Sequence, residues 1–78
     1  MIHEVVMPKM SLTMEEGTIK HWLKKEGDLV RKGEILFELE SDKTTLEIES
    51  EYNGILEKII APEEATLKVL QVIAHIKE

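Results

Sequence analysis

Two neighbouring stretches of the chain alternate between apolar and charged residues, and the alternation mirrors about a single point. Residues 34–41 read E-I-L-F-E-L-E-S and residues 45–49 read T-L-E-I-E. A period of two is the mark of a strand with one face buried, and it excludes a helix over runs this short. Pairing Leu39 with Leu46 and Phe37 with Ile48 puts these four side chains on one inward face. It puts Glu38, Glu40, Glu47 and Glu49 on the outward face. The centre of that pairing falls between Asp42 and Lys43, so the sequence predicts a two-residue turn flanked by Ser41 and Thr44. Asp tolerates the backbone angles of such turns, and a Lys beside it would point its amine into water.

The same rhythm runs through the rest of the chain. Gly17, Gly27, Gly33 and Gly54, with Asp28, Asn53, Pro8 and Pro62, punctuate short segments, as in an all-β sandwich or barrel. The chain also repeats itself with an offset of 37 residues, the distance from Gly17 to Gly54. At that offset Ile19 falls on Leu56, Trp22 on Ile59, Glu26 on Glu63, Leu36 on Ile73 and Leu39 on Ile76. Two copies are too few for a solenoid. They predict two similar halves packed face to face, each contributing a sheet, with the Asp42-Lys43 turn between the copies and both termini on the side opposite Lys43.

A chain of 78 residues is one domain, and one this small has little room for a deep cleft. A binding, carrier or interaction module is therefore the baseline expectation. With no cysteine there is no disulfide, no thiolate metal site and no Cys nucleophile. His3, His21 and His75 lack metal-ligand spacing. Ser11, Ser41 and Ser50 sit in no nucleophile elbow, and no glycine-rich loop cradles a phosphate. The expectation is no catalytic residue and no metal. A formal charge of −6 repels nucleic acid and anionic lipid, and no apolar run is long enough to span a membrane. Neither nucleic acid nor membrane is expected as a partner. Trp22, Phe37, Leu39, Leu46 and Ile48 read as core.

Lys43 remains. An isolated turn lysine is usually a solubilising residue. Here, however, a primary amine on a flexible stem stands at the end of a hairpin whose strands fix the anchor. That is the chemistry needed to form an amide with a carboxylic cofactor and to let it swing.

Residues 7–50 carry an ordered series of motifs: M-P-K-M-S-L-T-M-E-E-G-T-I from Met7, W-L-K-K-E-G-D-L-V from Trp22, and E-S-D-K-T from Glu40. Together they resemble the lipoyl domain of the acyltransferase component of 2-oxo acid dehydrogenase complexes, and residues 51–76 match that family's second half. The resemblance implies an all-β fold, a flattened barrel of two four-stranded antiparallel sheets with quasi-twofold symmetry. It places lipoate covalently on Lys43, with Asp42 and Thr44 shaping the turn for a lipoate ligase or lipoyl transferase. The surface loop that contributes to partner recognition falls on Ser11, Leu12, Thr13 and Met14; a plain connector is the other reading of that loop. The implied role is a non-catalytic swinging arm. It would carry acyl groups and reducing equivalents between a thiamin-diphosphate-dependent decarboxylase, an acyltransferase core and dihydrolipoamide dehydrogenase.

Several positions depart from the family pattern. Leu12 stands where many members have Pro. Glu64 and Leu70 stand where members often have Gly, and where the first copy here has Gly27 and Gly33. Because a side chain resists positive φ, the sequence leaves the shape of those turns open. Other readings are a biotinyl domain, whose Lys typically lies between two Met, a glycine-cleavage carrier, and an unmodified assembly barrel. Asp42 and Thr44 beside Lys43 favour lipoate. The chain is expected to be the N-terminal module (residues 1–78) of a longer acyltransferase. A bacterial or archaeal cytoplasm is the expected compartment, or the mitochondrial matrix for a trimmed eukaryotic chain.

Overall fold

The computed structural model describes residues 1–41 and 44–78, and among these there is no helix. Eight strands form: β1 (Ile2–Val6), β2 (Glu16–Trp22), β3 (Leu29–Val30), β4 (Ile35–Ser41), β5 (Thr44–Glu49), β6 (Gly54–Ile59), β7 (Thr66–Lys68) and β8 (Val72–Lys77). They make two four-stranded sheets, ordered β1-β8-β6-β3 and β5-β4-β2-β7, and every pairing is antiparallel.

The hairpin has the register that its alternation dictates. Leu39 pairs with Leu46, Phe37 with Ile48, Glu38 with Glu47, and Ser41 with Thr44. Phe37 and Leu39 are fully buried, while Leu46 and Ile48, on the sheet edge, are half-buried. A register shift between Ile35 and Phe37 lets Leu36 join Phe37 in the core, an inward turn that a strict period of two does not foresee.

The repeat is a quasi-twofold axis, but the halves are not divided as one sheet each. Strands β1 and β3 of the first half lie in one sheet and β2 and β4 in the other; the second half supplies the remaining two strands of each. Nearly every connection therefore crosses between sheets, and the two halves interlock. Alternation marks which side of a strand is buried. It says nothing about which sheet the strand joins.

Backbone hydrogen bonds at the crossings follow the symmetry. Gly27 N–H donates to Leu56 O (2.7 Å), and its mate Glu64 donates to Ile19 O (2.6 Å). Leu56 donates to Asp28 O and Ile19 to Ala65 O, both at 2.9 Å. Gly33 donates to Ser50 O and Leu70 to Met7 O, also both at 2.9 Å. Two carboxylates repeat the pattern: Glu63 accepts from Trp22 N–H (3.0 Å) and Glu26 from Ile59 N–H (2.7 Å).

These bonds fix the shape of the second-half turns, which the sequence leaves open. Glu64 (φ 74°) and Leu70 (φ 76°) keep the left-handed backbone of Gly27 (φ 96°) and Gly33 (φ 94°). Each must present its N–H to a carbonyl of the other half, and this holds the conformation despite a cost of about 1–2 kcal/mol per side chain.

The core between the sheets is aliphatic: Met7, Ile19, Val30, Leu36, Leu39, Leu56, Ile73 and Ile76 surround Phe37. Trp22 is half-buried, not fully core. It packs on Phe37 with ring centroids 5.0 Å apart and donates its indole N–H to Ala61 O (2.8 Å).

Candidate functional site

The β4–β5 ladder ends at the Ser41–Thr44 pair, with Thr44 and Thr45 exposed. Asp42 and Lys43, the predicted turn and attachment residues, lie between these two partners in sequence and outside the described residues. What the structure shows is the anchor. Strand β4 is bonded on one side to β5 and on the other to β2. Leu39, one turn of the pleat before Ser41, is fully buried.

The loop between β1 and β2 lies beside this end of the barrel. An open groove of about 600 Å³ is lined by Thr13 and Glu15 of the loop, Thr18 of β2, Glu40 and Ser41 of β4, and Thr66 of β7. The quasi-twofold axis shows what the loop adds. Met7 and Ser50 occupy equivalent corners: Met7 donates to Gln71 O (2.8 Å) as Ser50 donates to Glu34 O (2.8 Å). From Ser50 the chain reaches the next strand through Glu51, Tyr52 and Asn53 alone. From Met7 it takes residues 8–15. Closing the barrel does not require that excess.

The four loop residues do not behave alike. Ser11 and Thr13 are exposed and Leu12 is 94% exposed. Met14 is only 5% exposed. It points inward, and its Sδ accepts the Met10 N–H (3.2 Å). Gly17 makes the room: a side-chain carbon there would stand 2.6 Å from Leu39 Cδ1, 3.0 Å from Met14 Cε and 3.2 Å from Met7 Sδ. Both ends of the loop are thereby packed against the strand that leads to the hairpin. Alternation alone could not assign Met14 to the core, because it lies outside any strand.

The surroundings are acidic. Glu15, Glu16 and Glu40 line the groove, and Glu38 faces Glu47 across the hairpin. Lys20 lies 3.9 Å from Glu40. Away from this end, Glu34 accepts from Arg31 N–H (2.6 Å) and pairs with Lys24 Nζ (3.2 Å), which together hold its carboxyl below the usual range. No group of His, Asp or Glu that could hold a metal occurs among the described residues.

The termini meet at the quasi-twofold counterpart of the Ser41–Thr44 pair. Glu78 N–H donates to Met1 O (2.9 Å), and His3 Nε2 lies 2.7 Å from Glu78 Oε1. Met7 packs against Gly17 on the hairpin side, so strand β1 carries Met1 away from the hairpin at ~3.3 Å per residue.

A small twofold β-barrel whose β4–β5 hairpin is backed by β2 is the scaffold of a carrier module. Comparison with known proteins places it further. The family described as "Biotin-requiring enzyme", the biotin/lipoyl attachment family, matches residues 3–76. The acetyltransferase component of the pyruvate dehydrogenase complex is 47% identical over 76 residues in Rickettsia prowazekii and 50% identical in Zymomonas mobilis, each alignment covering 96% of this chain. The succinyltransferase component of the 2-oxoglutarate dehydrogenase complex of Staphylococcus saprophyticus is 45% identical over 75 residues. The solution structure of the lipoyl domain of the 2-oxoglutarate dehydrogenase complex from Azotobacter vinelandii superposes with a TM-score of 0.78 at 25% identity, covering 96% of this chain and 95% of that one. The chain belongs to the biotin/lipoyl attachment family and, within it, to the lipoyl domains, which are lipoate-bearing swinging-arm carriers and not themselves catalysts. It spans only 19% of the length of the Rickettsia relative and 17% of the Zymomonas one.

Proposed function

We propose that Lys43 is the lipoyl attachment site and that Asp42 and Thr44 shape the turn for a lipoate ligase or lipoyl transferase. In this reading the domain serves an acyltransferase of a 2-oxo acid dehydrogenase complex. It shuttles acyl groups and reducing equivalents between a thiamin-diphosphate-dependent decarboxylase, the acyltransferase core and dihydrolipoamide dehydrogenase. The observation that carries the reading is the hairpin register. Pairing of Ser41 with Thr44 leaves only Asp42 and Lys43 between two strands, and one of them bears a primary amine, the group an amide to lipoate requires.

The chain's own residues supply the mounting. Leu39, buried between the sheets, fixes strand β4 and so gives an attachment point beyond it a rigid backing. Bound there, a lipoyl group would supply a dithiolane disulfide that takes up an acyl group and two electrons together. Amide formation would remove the lysine charge and make a chain of net charge −6 one unit more negative. Ser11, Leu12 and Thr13 would contact partners from the loop, with Met14 holding the loop in place from within.

Intact mass after co-expression with a lipoate ligase and lipoate tests this. The expected result is a gain of one lipoyl group that disappears in Lys43→Ala. A gain of biotin with a biotin ligase, and none with lipoate, would replace the reading with that of a biotinyl domain. No gain with either would leave an unmodified barrel.

A further inference from the structure

Leu70 breaks two local rules at one position. Its backbone is left-handed (φ 76°), a conformation that disfavours any side chain with a Cβ. It also exposes 71% of its surface. A single exposed leucine is unremarkable, but the other exposed aliphatic residues among the described ones have ordinary backbones. The quasi-twofold mate of Leu70 is Gly33, which makes the same turn without strain and without an apolar side chain. Neither the turn nor the core accounts for a leucine here. Two unfavourable features kept together point to a surface with a task.

The location says which surface. The Leu70 N–H is bonded to Met7 O (2.9 Å) and the Val69 N–H to Glu15 O (3.0 Å), so this turn is fastened to both ends of the loop that displays Leu12. It also lies at the hairpin end of the barrel. Thr66 pairs with Thr18, which pairs with Glu40 on β4. Lys68, two residues on, pairs with Glu16, beyond the level of Glu40 and towards the end of the ladder at Ser41–Thr44. Leu70 follows in the same direction.

We infer that Leu70 is a contact residue for the decarboxylase, acting with Leu12 as a second apolar prong of one recognition face. The complementary surface would be an aliphatic recess with a basic rim, matching Leu12 and Leu70 and the flanking Glu15 and Glu16. The inference rests on the carrier reading above and adds to it a residue and the partner's chemistry.

The test uses the lipoylated domain as a substrate in reductive acylation. Wild type is assayed with a pyruvate-specific and a 2-oxoglutarate-specific decarboxylase component, and the better one is taken forward. Acceptance by neither overturns the function reading, and the contact with it. With acceptance, Leu70→Gly and Leu70→Asn are compared at equal lipoylation, verified by mass. Both substitutions suit a left-handed backbone, so neither lowers the melting temperature. The expected result is a KM for the domain raised about tenfold with kcat little changed, the signature of lost binding and not of lost chemistry. Leu70→Met should restore KM to within about threefold of wild type. A KM within twofold of wild type in both the Gly and Asn variants would overturn the proposal. Because those variants are at least as stable as wild type, unfolding cannot imitate the expected result.

Discussion

Glu64 offers a sharp test of how the interlocked halves hold their turns. Its side chain is exposed, while its backbone sits at φ 74° to donate to Ile19 O. Replacing it with glycine removes about 1–2 kcal/mol of left-handed strain. The replacement also gives back about 0.5–1 kcal/mol, because glycine loses more freedom on folding. The net expectation is a gain of ~0.5–1 kcal/mol, which in a domain of this size raises the melting temperature by ~2–8 °C. The fold supplies a control of opposite sign. Gly27 makes the same turn at φ 96°, and a side-chain carbon there would meet nothing within 4 Å. Gly27→Ala should therefore lose a similar amount through backbone strain alone. Glu64→Gln keeps the strain and removes the charge, so it should leave stability nearly unchanged and separate backbone relief from relief of acidic repulsion. Urea and thermal unfolding followed by Trp22 fluorescence read all three variants. If Glu64→Gly fails to stabilise, or stabilises no more than Glu64→Gln, the strain argument is wrong.

Other outcomes follow from the same geometry. Gly17→Ala should destabilise by ~1–3 kcal/mol by overpacking Leu39, Met14 and Met7. Gly54→Ala should cost more, since there the new carbon meets the Lys77 backbone carbonyl, which cannot rotate away; urea midpoints compare the two. Glu34 is held below its ordinary pKa of 4.5 by Arg31 N–H and Lys24, so its stabilising contribution is present above that ordinary value and is lost as pH falls through the lowered one. Glu34→Gln should flatten the fall in stability below about pH 4.5 without unfolding the domain at neutral pH, because Gln71 already makes the equivalent bond to Lys68 N–H (2.8 Å). An unchanged acid limb would refute this. Glu47→Lys replaces the like-charge pairing with Glu38 by an attractive one, and should stabilise by ~0.2–1 kcal/mol, an increment that shrinks as salt is added.

The hairpin and the repeat were both legible because each rests on side-chain pattern. Residues such as Leu39 and Leu46 declare their face, and Gly17 and Gly54 declare their equivalence. The interlocking of the halves was not legible, because the choice of sheet is made in connections such as residues 23–28, where the deciding groups are backbone amides. The shapes of the turns at Glu64 and Leu70 were not legible for the same reason. Local propensity argued against positive φ there, whereas hydrogen bonds from the opposite half require it. The burial of Met14 was not legible, because a loop residue has no period to reveal it. The site presents the reverse case: Lys43 stands out in sequence through its neighbours Asp42 and Thr44, and it lies outside the described residues.

A twofold barrel assembled from a repeat supplies its own reference, since each residue can be compared with its mate. Where mates agree, as in the paired hydrogen bonds of Gly27 and Glu64 or of Trp22 and Ile59, the residues are explained by folding. Where they differ, folding alone does not explain them. Differences at the hairpin end include the β1–β2 loop, which exceeds its counterpart, and Leu70, which replaces the glycine of its mate. Gly17 ties these together, because its missing side chain admits Met14 of the loop beside Leu39 of the hairpin strand. The symmetric part of the sequence therefore builds a rigid mount. On the proposed reading, the asymmetric part equips one end of it with an amine to modify and a face to be recognised.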